Sequence, residues 1–210
     1  MPLFKQGEGN APAWSELEAF FLVYADPREK NEFTWRGPKE RYIGIEGAAK
    51  IICGDKTFYI KRGQVFDPPA ADKIILTAEE GRAGICRCCG NWGGELGGSG
   101  IFAVAFSGNP VNAGDQTDYP RNATFDNHYH DCDEYWIIFE GCGVAYSEGI
   151  LYEAGVGDCI ATGRGYHHDF PIVREPIWGA YFETTLTGQK RLGHLWTHTH
   201  GAPSPDPARK

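Results

Sequence analysis

The chain reads as an all-β protein, an antiparallel barrel or sandwich, on three observations. Short runs of β-branched and aromatic residues recur along it: Tyr42 to Ile45, Thr57 to Ile60, Ile101 to Phe106, Tyr135 to Phe139 and Ile177 to Phe182. Between them fall 28 glycines and 13 prolines, and β-prone runs bounded by turn formers are strand signals. The chain also resembles itself at one ungapped offset, as a pair of similar β-units would.

Taken in order, residues 14–25 open with a Ser15-x-x-Glu18 capping box, the one helix signature present, yet the segment LEAFFLVYA also reads as a buried strand. ERYIGIEG (Glu40 to Gly47) then aligns with EYWIIFEG (Glu134 to Gly141) at an offset of 134 − 40 = 94, which also carries Gly63 onto Gly157. In each copy 15 residues separate the two glycines, room for a short hairpin. Its turn is Cys53-Gly54-Asp55 in the first copy and Ser147-Glu148-Gly149 in the second. The repeat divides the chain into units at 1–95 and 96–200. GNWGGELGGSG (Gly90 to Gly100) becomes a flexible connection and GAPSPDPARK (201–210) a disordered tail. The connection's glycines lack the following helix that a phosphate cradle needs.

Composition narrows the function classes. With 210 residues the chain can bury a stable core without disulfides. Twenty Lys+Arg against 28 Asp+Glu give a net charge of −8, which argues against nucleic acid or an anionic membrane as partner. The longest apolar run, near Leu17 to Ala25, is too short to span a bilayer. The N-terminus MPLFKQGEGN shows no signal-peptide pattern, so the odd count of seven cysteines reads as reduced thiols in a cytoplasmic setting.

The strongest chemical signal is His128-Tyr129-His130-Asp131-Cys132-Asp133-Glu134. Alternate strand residues share a face, so His128 and His130 point the same way, and Glu134 opens the next strand facing the same interior. Gly163-Arg164-Gly165-Tyr166-His167-His168 supplies another imidazole after a tight turn. Three imidazoles and a carboxylate form an N/O ligand set that suits one divalent transition metal: Mn, Fe, Co, Ni or Zn.

These residues resemble the cupin family. Its first motif, H-x-H, three or four residues, E, six residues, G, is met by His128, His130, Glu134 and Gly141; Asn122 stands where a glycine is usual. The second motif maps onto Gly157, Gly163 (usually Pro), Gly165 and His168, which makes His168 rather than His167 the ligand; Ile172 replaces its terminal Asn. Carried back by the repeat offset, the ligand positions become Thr34, Arg36, Glu40 and Ile74. The resemblance therefore implies tandem cupin barrels (double-stranded β-helix, jelly-roll), a bicupin whose N-terminal unit is degenerate and holds no metal. A homodimer is common in the family.

Strand parity nominates the residues around the metal. Asp126 shares the face of His128 and His130, Trp136 that of Glu134, and Phe170 that of His168. Tyr181 and Glu183 alternate with Trp178, Ala180 and Phe182, so the polar set is expected in the cup and the apolar set against the other sheet. Asp126, Tyr181 and Glu183 are the acid–base candidates, Trp136 and Phe170 the substrate-binding ones. Asp131 and Asp133 are expected exposed in their turn. Cys86, Cys88 and Cys89 read as buried small apolar residues. His194, His198 and His200 read as ordinary packing or solvent-exposed residues, with a surface metal site or a lid over the barrel as the alternatives. Carboxylates beside aromatic faces suit a small-molecule substrate such as a sugar or hydroxy-carbonyl compound. The expected activity is metal-dependent isomerisation, epimerisation or elimination. An Fe(II) dioxygenase and a non-catalytic sugar-binding cupin are the alternatives.

Overall fold

In the computed structural model, which describes residues 3–210, the chain folds into two antiparallel sheets. It opens with β1 (Leu3–Lys5). The N-terminal sheet then comprises β2 (Leu17–Ala25), β3 (Lys30–Phe33), β4 (Lys39–Cys53), β5 (Lys56–Lys61), β6 (Val65–Phe66) and β7 (Ile74–Gly90). The C-terminal sheet comprises β8 (Leu96–Val104), β9 (Glu134–Ser147), β10 (Ile150–Gly155), β11 (Asp158–Thr162) and β12 (His168–Thr185). A single helical turn, α1 (Thr197–His200), lies near the end. The architecture matches the cupin jelly roll expected from the sequence.

Backbone pairing follows the repeat seen in the sequence. The β4–β5 hairpin closes at Cys53↔Lys56, and β9–β10 closes at Ser147↔Ile150. Ile43 pairs with Cys86 across β4 and β7, as Ile137 pairs with Ala180 across β9 and β12. The motif glycines hold left-handed backbone, Gly47 at φ +54 and Gly141 at φ +75. A Cβ on Gly47 would meet the Arg82 carbonyl oxygen at 2.2 Å, and one on Gly141 the Pro176 oxygen at 2.0 Å, so both positions exclude any larger residue.

Several sequence expectations give way to tertiary pairing. Residues 17–25 are strand, not helix: Ser15 Oγ donates to the Leu17 carbonyl at 2.6 Å rather than capping a helix, and the segment ladders onto β7. The Gly-rich connection is no free loop, because Leu96 to Gly100 belong to β8 and pair with β12. β1 crosses to the C-terminal sheet, Leu3 opposite Ile160, so residues 3–5 sit outside the N-terminal unit.

The expected disordered tail is instead held down. Arg209 reaches the Asp133 carboxylate at 2.7 Å and Asp206 pairs with Arg164. Gly163 makes room for this, since a Cβ there would lie 2.4 Å from the Arg209 carbonyl oxygen. Asp133 is therefore buried rather than exposed, at 3 %. Its burial raises the carboxyl to about 6, against the opposing pull of the Arg164 N–H and Arg209.

Three apolar clusters organise the interior. One lies between the sheets and joins Ile43, Ile45, Cys86 and Cys88 of the N-terminal sheet to Tyr135, Ile137, Cys159, Ala180 and Phe182 of the other. The strand cysteines there act as small apolar residues. Each half keeps a second cluster of its own. That of the C-terminal half, containing Trp136, Ile138 and Phe170, forms the floor beneath the histidines.

Candidate metal centre

The two histidine segments meet by backbone pairing. His128 and His168 exchange N–H···O bonds of 3.2 and 2.9 Å, which brings the HxH pair against the start of β12. Glu134 is the first residue of β9, opposite Glu183 in the β9–β12 ladder. One ligand atom each from His128, His130, Glu134 and His168 then lie within 4.8 Å of one another, and all four residues are buried. Glu134 Oε2 sits 2.6 Å from His168 Nε2, 3.2 Å from His130 Nε2 and 4.0 Å from His128 Nε2.

The tautomers follow from the far side of each ring. Nδ1 of His128, His130 and His168 lies 2.8, 3.0 and 3.0 Å from the carbonyls of Asp126, Gly193 and Tyr166. A carbonyl only accepts, so each Nδ1 carries the proton and each Nε2 turns a lone pair toward the centre. His128 Nε2 and His130 Nε2 are buried there without a hydrogen-bond partner. Burial, then the neighbouring imidazoles, push His128 well below the usual range. Burial also lowers His168, outweighing Glu134. Burial alone would raise Glu134, but His130 and His168 hold it well below the usual carboxylate range. His130 alone is raised, because Glu134 overcomes the burial cost of its charge. Lone pairs and a carboxylate converging on one point lack a positive partner, and a metal cation fits that donor set.

A cavity of about 330 Å³ opens beside the ligands. Phe102, Phe125 and Trp136 form its apolar wall, and Glu134, Glu183, Tyr181 and His194 its polar one. Tyr181 pairs with Trp136 across the ladder and Glu183 with Glu134, so parity placed both in the cup. Glu183 is raised by burial and by the charge of Glu134. Two expected site residues stand elsewhere. Phe170 is fully buried and stacks behind Trp136 at 5.9 Å, so it backs the cavity wall without reaching the cavity. Asp126 turns its carboxylate to His194 Nδ1 (2.7 Å) and Trp196 Nε1 (3.0 Å) and does not line the cavity.

His194, taken from sequence as ordinary packing or solvent-exposed, stacks flat on His128 with ring centroids 3.6 Å apart and 2° between planes. It closes one side of the cavity while Gly193 holds His130. The chain returns there because Leu195 and Tyr129 exchange two 3.0 Å backbone bonds. His198 faces away, onto Asp115 at 2.8 Å, with His167 on the other carboxylate oxygen at 2.7 Å. The histidine cluster at 194, 198 and 200 offered a lid over the barrel only as an alternative, since the partners of His194 lie more than 60 positions earlier.

The corresponding place in the N-terminal half is filled by protein. Glu40 accepts from Arg87 Nε at 2.9 Å and from Tyr42 Oη at 2.7 Å, and the Arg87 side chain is 3 % exposed. The guanidinium thus occupies that cup as the counter-charge to its lone carboxylate.

Over its whole length the chain is similar to the protein y4oW of Sinorhizobium fredii: 39 % identical over 211 residues, covering 100 % of this chain and 96 % of that one. The chain belongs to the y4oW family. No family model matches it. Among solved structures, the chain's fold is similar to a Bacillus subtilis oxalate decarboxylase (TM-score 0.52, 12 % identity, 84 % of this chain and 70 % of that one). It is also similar to hazelnut (Corylus avellana) vicilin (TM-score 0.52, 10 % identity, 86 % and 82 %). An IolB-like protein of Salmonella typhimurium matches at TM-score 0.50 and 14 % identity over 86 % and 88 %. At these identities the likeness concerns the barrel. No helix among the described residues is long and apolar enough to cross a membrane.

Proposed function

We propose that the chain is a two-unit cupin enzyme holding one divalent transition metal (Mn, Fe, Co, Ni or Zn) through His128, His130, His168 and Glu134. The carrying observation is that three imidazole Nε2 atoms and a carboxylate converge on one buried point, where His128 and His130 Nε2 have no hydrogen-bond partner. We read 1–95 and 96–200 as the two units, with β1 lent to the sheet of the second; the first contributes packing across the common core. Seven free cysteines accord with a reducing, cytoplasmic setting.

The substrate class that suits the cavity is a sugar or small hydroxy-carbonyl compound. Phe102, Phe125 and Trp136 offer apolar faces for C–H patches, while Glu183 and Tyr181 offer hydroxyl partners. The metal, when bound, supplies Lewis-acid polarisation of a carbonyl or vicinal diol. Glu183 is the residue placed to take or return a proton, since its carboxylate reaches the cavity. Tyr181 orients a substrate oxygen. Asp126 serves as a positioning residue, fixing His194 and Trp196 over the cup. The reaction is then an isomerisation, epimerisation or elimination.

The test is metal analysis of the purified chain, together with turnover of candidate sugars by wild type and His130→Ala. Loss of metal and turnover together is expected. Equal rates with no metal bound would end the proposal. Oxygen uptake with iron but not zinc would point to a dioxygenase, and tight sugar binding without product to a binding module.

A further inference from the structure

Cys132 lies in the turn between the HxH pair and Glu134 and is buried at 2 %. Its Sγ, a carboxylate oxygen of Glu183 and a ring nitrogen of His130 all lie within 4.8 Å of one another. Gly97 on β8 permits that approach: a Cβ there would stand 2.5 Å from Glu183 Oε2 and 2.9 Å from Cys132 Sγ. Two features mark the trio as lacking a partner. His130 Nε2 is buried without a hydrogen bond, and Glu183, 6 % exposed, faces Glu134, His130 and His194 with no lysine or arginine among them.

We propose that the cup carries a second, softer ligand set, Cys132 Sγ with Glu183 and His130, which takes a thiophilic cation such as Cd²⁺. A thiolate and a carboxylate together neutralise a divalent ion, and thiolate ligands select soft metals that a three-imidazole, one-carboxylate set does not favour. The thiol proton passes to solvent as the sulfur–metal bond forms. His130 belongs to both sets. Its Nδ1 is held by the Gly193 carbonyl, so its single Nε2 lone pair serves one ion at a time. The cup therefore holds one ion in either of two positions, and a soft ion expels the other metal. In sharing His130 this inference rests on the four-ligand reading above.

The experiment compares metal-stripped wild type, Cys132→Ser and His128→Ala in Cd²⁺ and Mn²⁺ titrations. It reads thiolate-to-cadmium charge-transfer absorption and bound metal per chain. Wild type is expected to take one Cd²⁺ with the charge-transfer band and to release Mn²⁺ as it does so. Cys132→Ser loses the band and binds Cd²⁺ at least about tenfold more weakly, with Mn²⁺ affinity within about twofold of wild type. His128→Ala keeps the band and loses Mn²⁺. Glu183→Gln gives the same weakening of Cd²⁺ and carries the test if Cys132→Ser does not fold. A band that survives in Cys132→Ser, or Cd²⁺ bound to wild type without one, overturns the proposal. Mn²⁺ binding that survives His128→Ala would instead overturn the four-ligand site, whatever the cadmium band shows.

Discussion

Replacing Arg87 with Met tests why the two halves differ. The Arg87 and Glu40 side chains are 3 % and 0 % exposed. Without the guanidinium, Glu40 keeps only the Tyr42 hydroxyl at 2.7 Å and the Arg36 N–H at 2.5 Å as donors. Breaking one side of a buried pair costs about 3–5 kcal/mol, because a charge remains without compensation. Loss of the cation–π contact with Phe33, 4.4 Å from the guanidinium carbon, adds roughly 0.5–2 kcal/mol. At about 2–4 °C per kcal/mol for a chain this long, Tm should fall by roughly 7–28 °C. The double variant Glu40→Leu/Arg87→Met leaves no buried charge and should recover most of that loss. Thermal unfolding by circular dichroism, with metal analysis alongside, supplies both readouts. Bound metal should stay at the wild-type level in every variant, since the ligands belong to the other cup. A Tm for Arg87→Met within about 2 °C of wild type, or a double variant less stable than either single one, would refute the counter-charge argument.

Three further outcomes follow from the same geometry. Glu134→Gln keeps the side-chain shape but removes the one charge among the four ligands; calorimetric titration should show Mn²⁺ or Zn²⁺ binding weakened at least about 100-fold. Gly141→Ala forces a side chain at φ +75 and 2.0 Å from the Pro176 oxygen, and urea unfolding should show a loss of about 2 kcal/mol or more. Burial by itself would raise Asp115, but hydrogen bonds from the Thr197 N–H, His167 and His198 outweigh it and hold the carboxyl below the usual range. A depressed folded value contributes stability that is present above the unfolded carboxylate pKa and lost as pH falls through the folded one. Tm should therefore decline below about pH 4 in wild type. In Asp115→Asn the decline should be shallower.

Much of the site was legible because its information is local in the chain. His128, His130 and Glu134 sit within seven consecutive residues, and an i, i+2 spacing aims the two imidazoles together even though only the isolated bridges His128 to His168 and Tyr129 to Leu195 hold that segment. Strand parity likewise put Tyr181 and Glu183 in the cup and Ala180 and Phe182 in the core between the sheets. Phe170 and Asp126 do not line the cavity. Phe170 shares the expected side of the sheet but lies a layer deeper, behind Trp136. Asp126 lies in the irregular stretch between β8 and β9, where strand alternation does not hold, and turns its carboxylate to His194 and Trp196. The Ser15 capping box was overruled by nine residues of β2 laddered onto β7.

The amino-acid sequence by itself determined the β-class, the repeat and the His/Glu quartet that meets at one buried point, because each is written in residue types at short spacing. Tertiary structure alone decided what fills each cup. Arg87 enters the first from a distant strand, while His194 is laid over the second by the Tyr129–Leu195 bridge. It likewise seated Arg209 on Asp133 and brought Cys132 beside Glu183. Such contacts join residues far apart along the chain, and their distances depend on how two sheets pack, which no local pattern encodes.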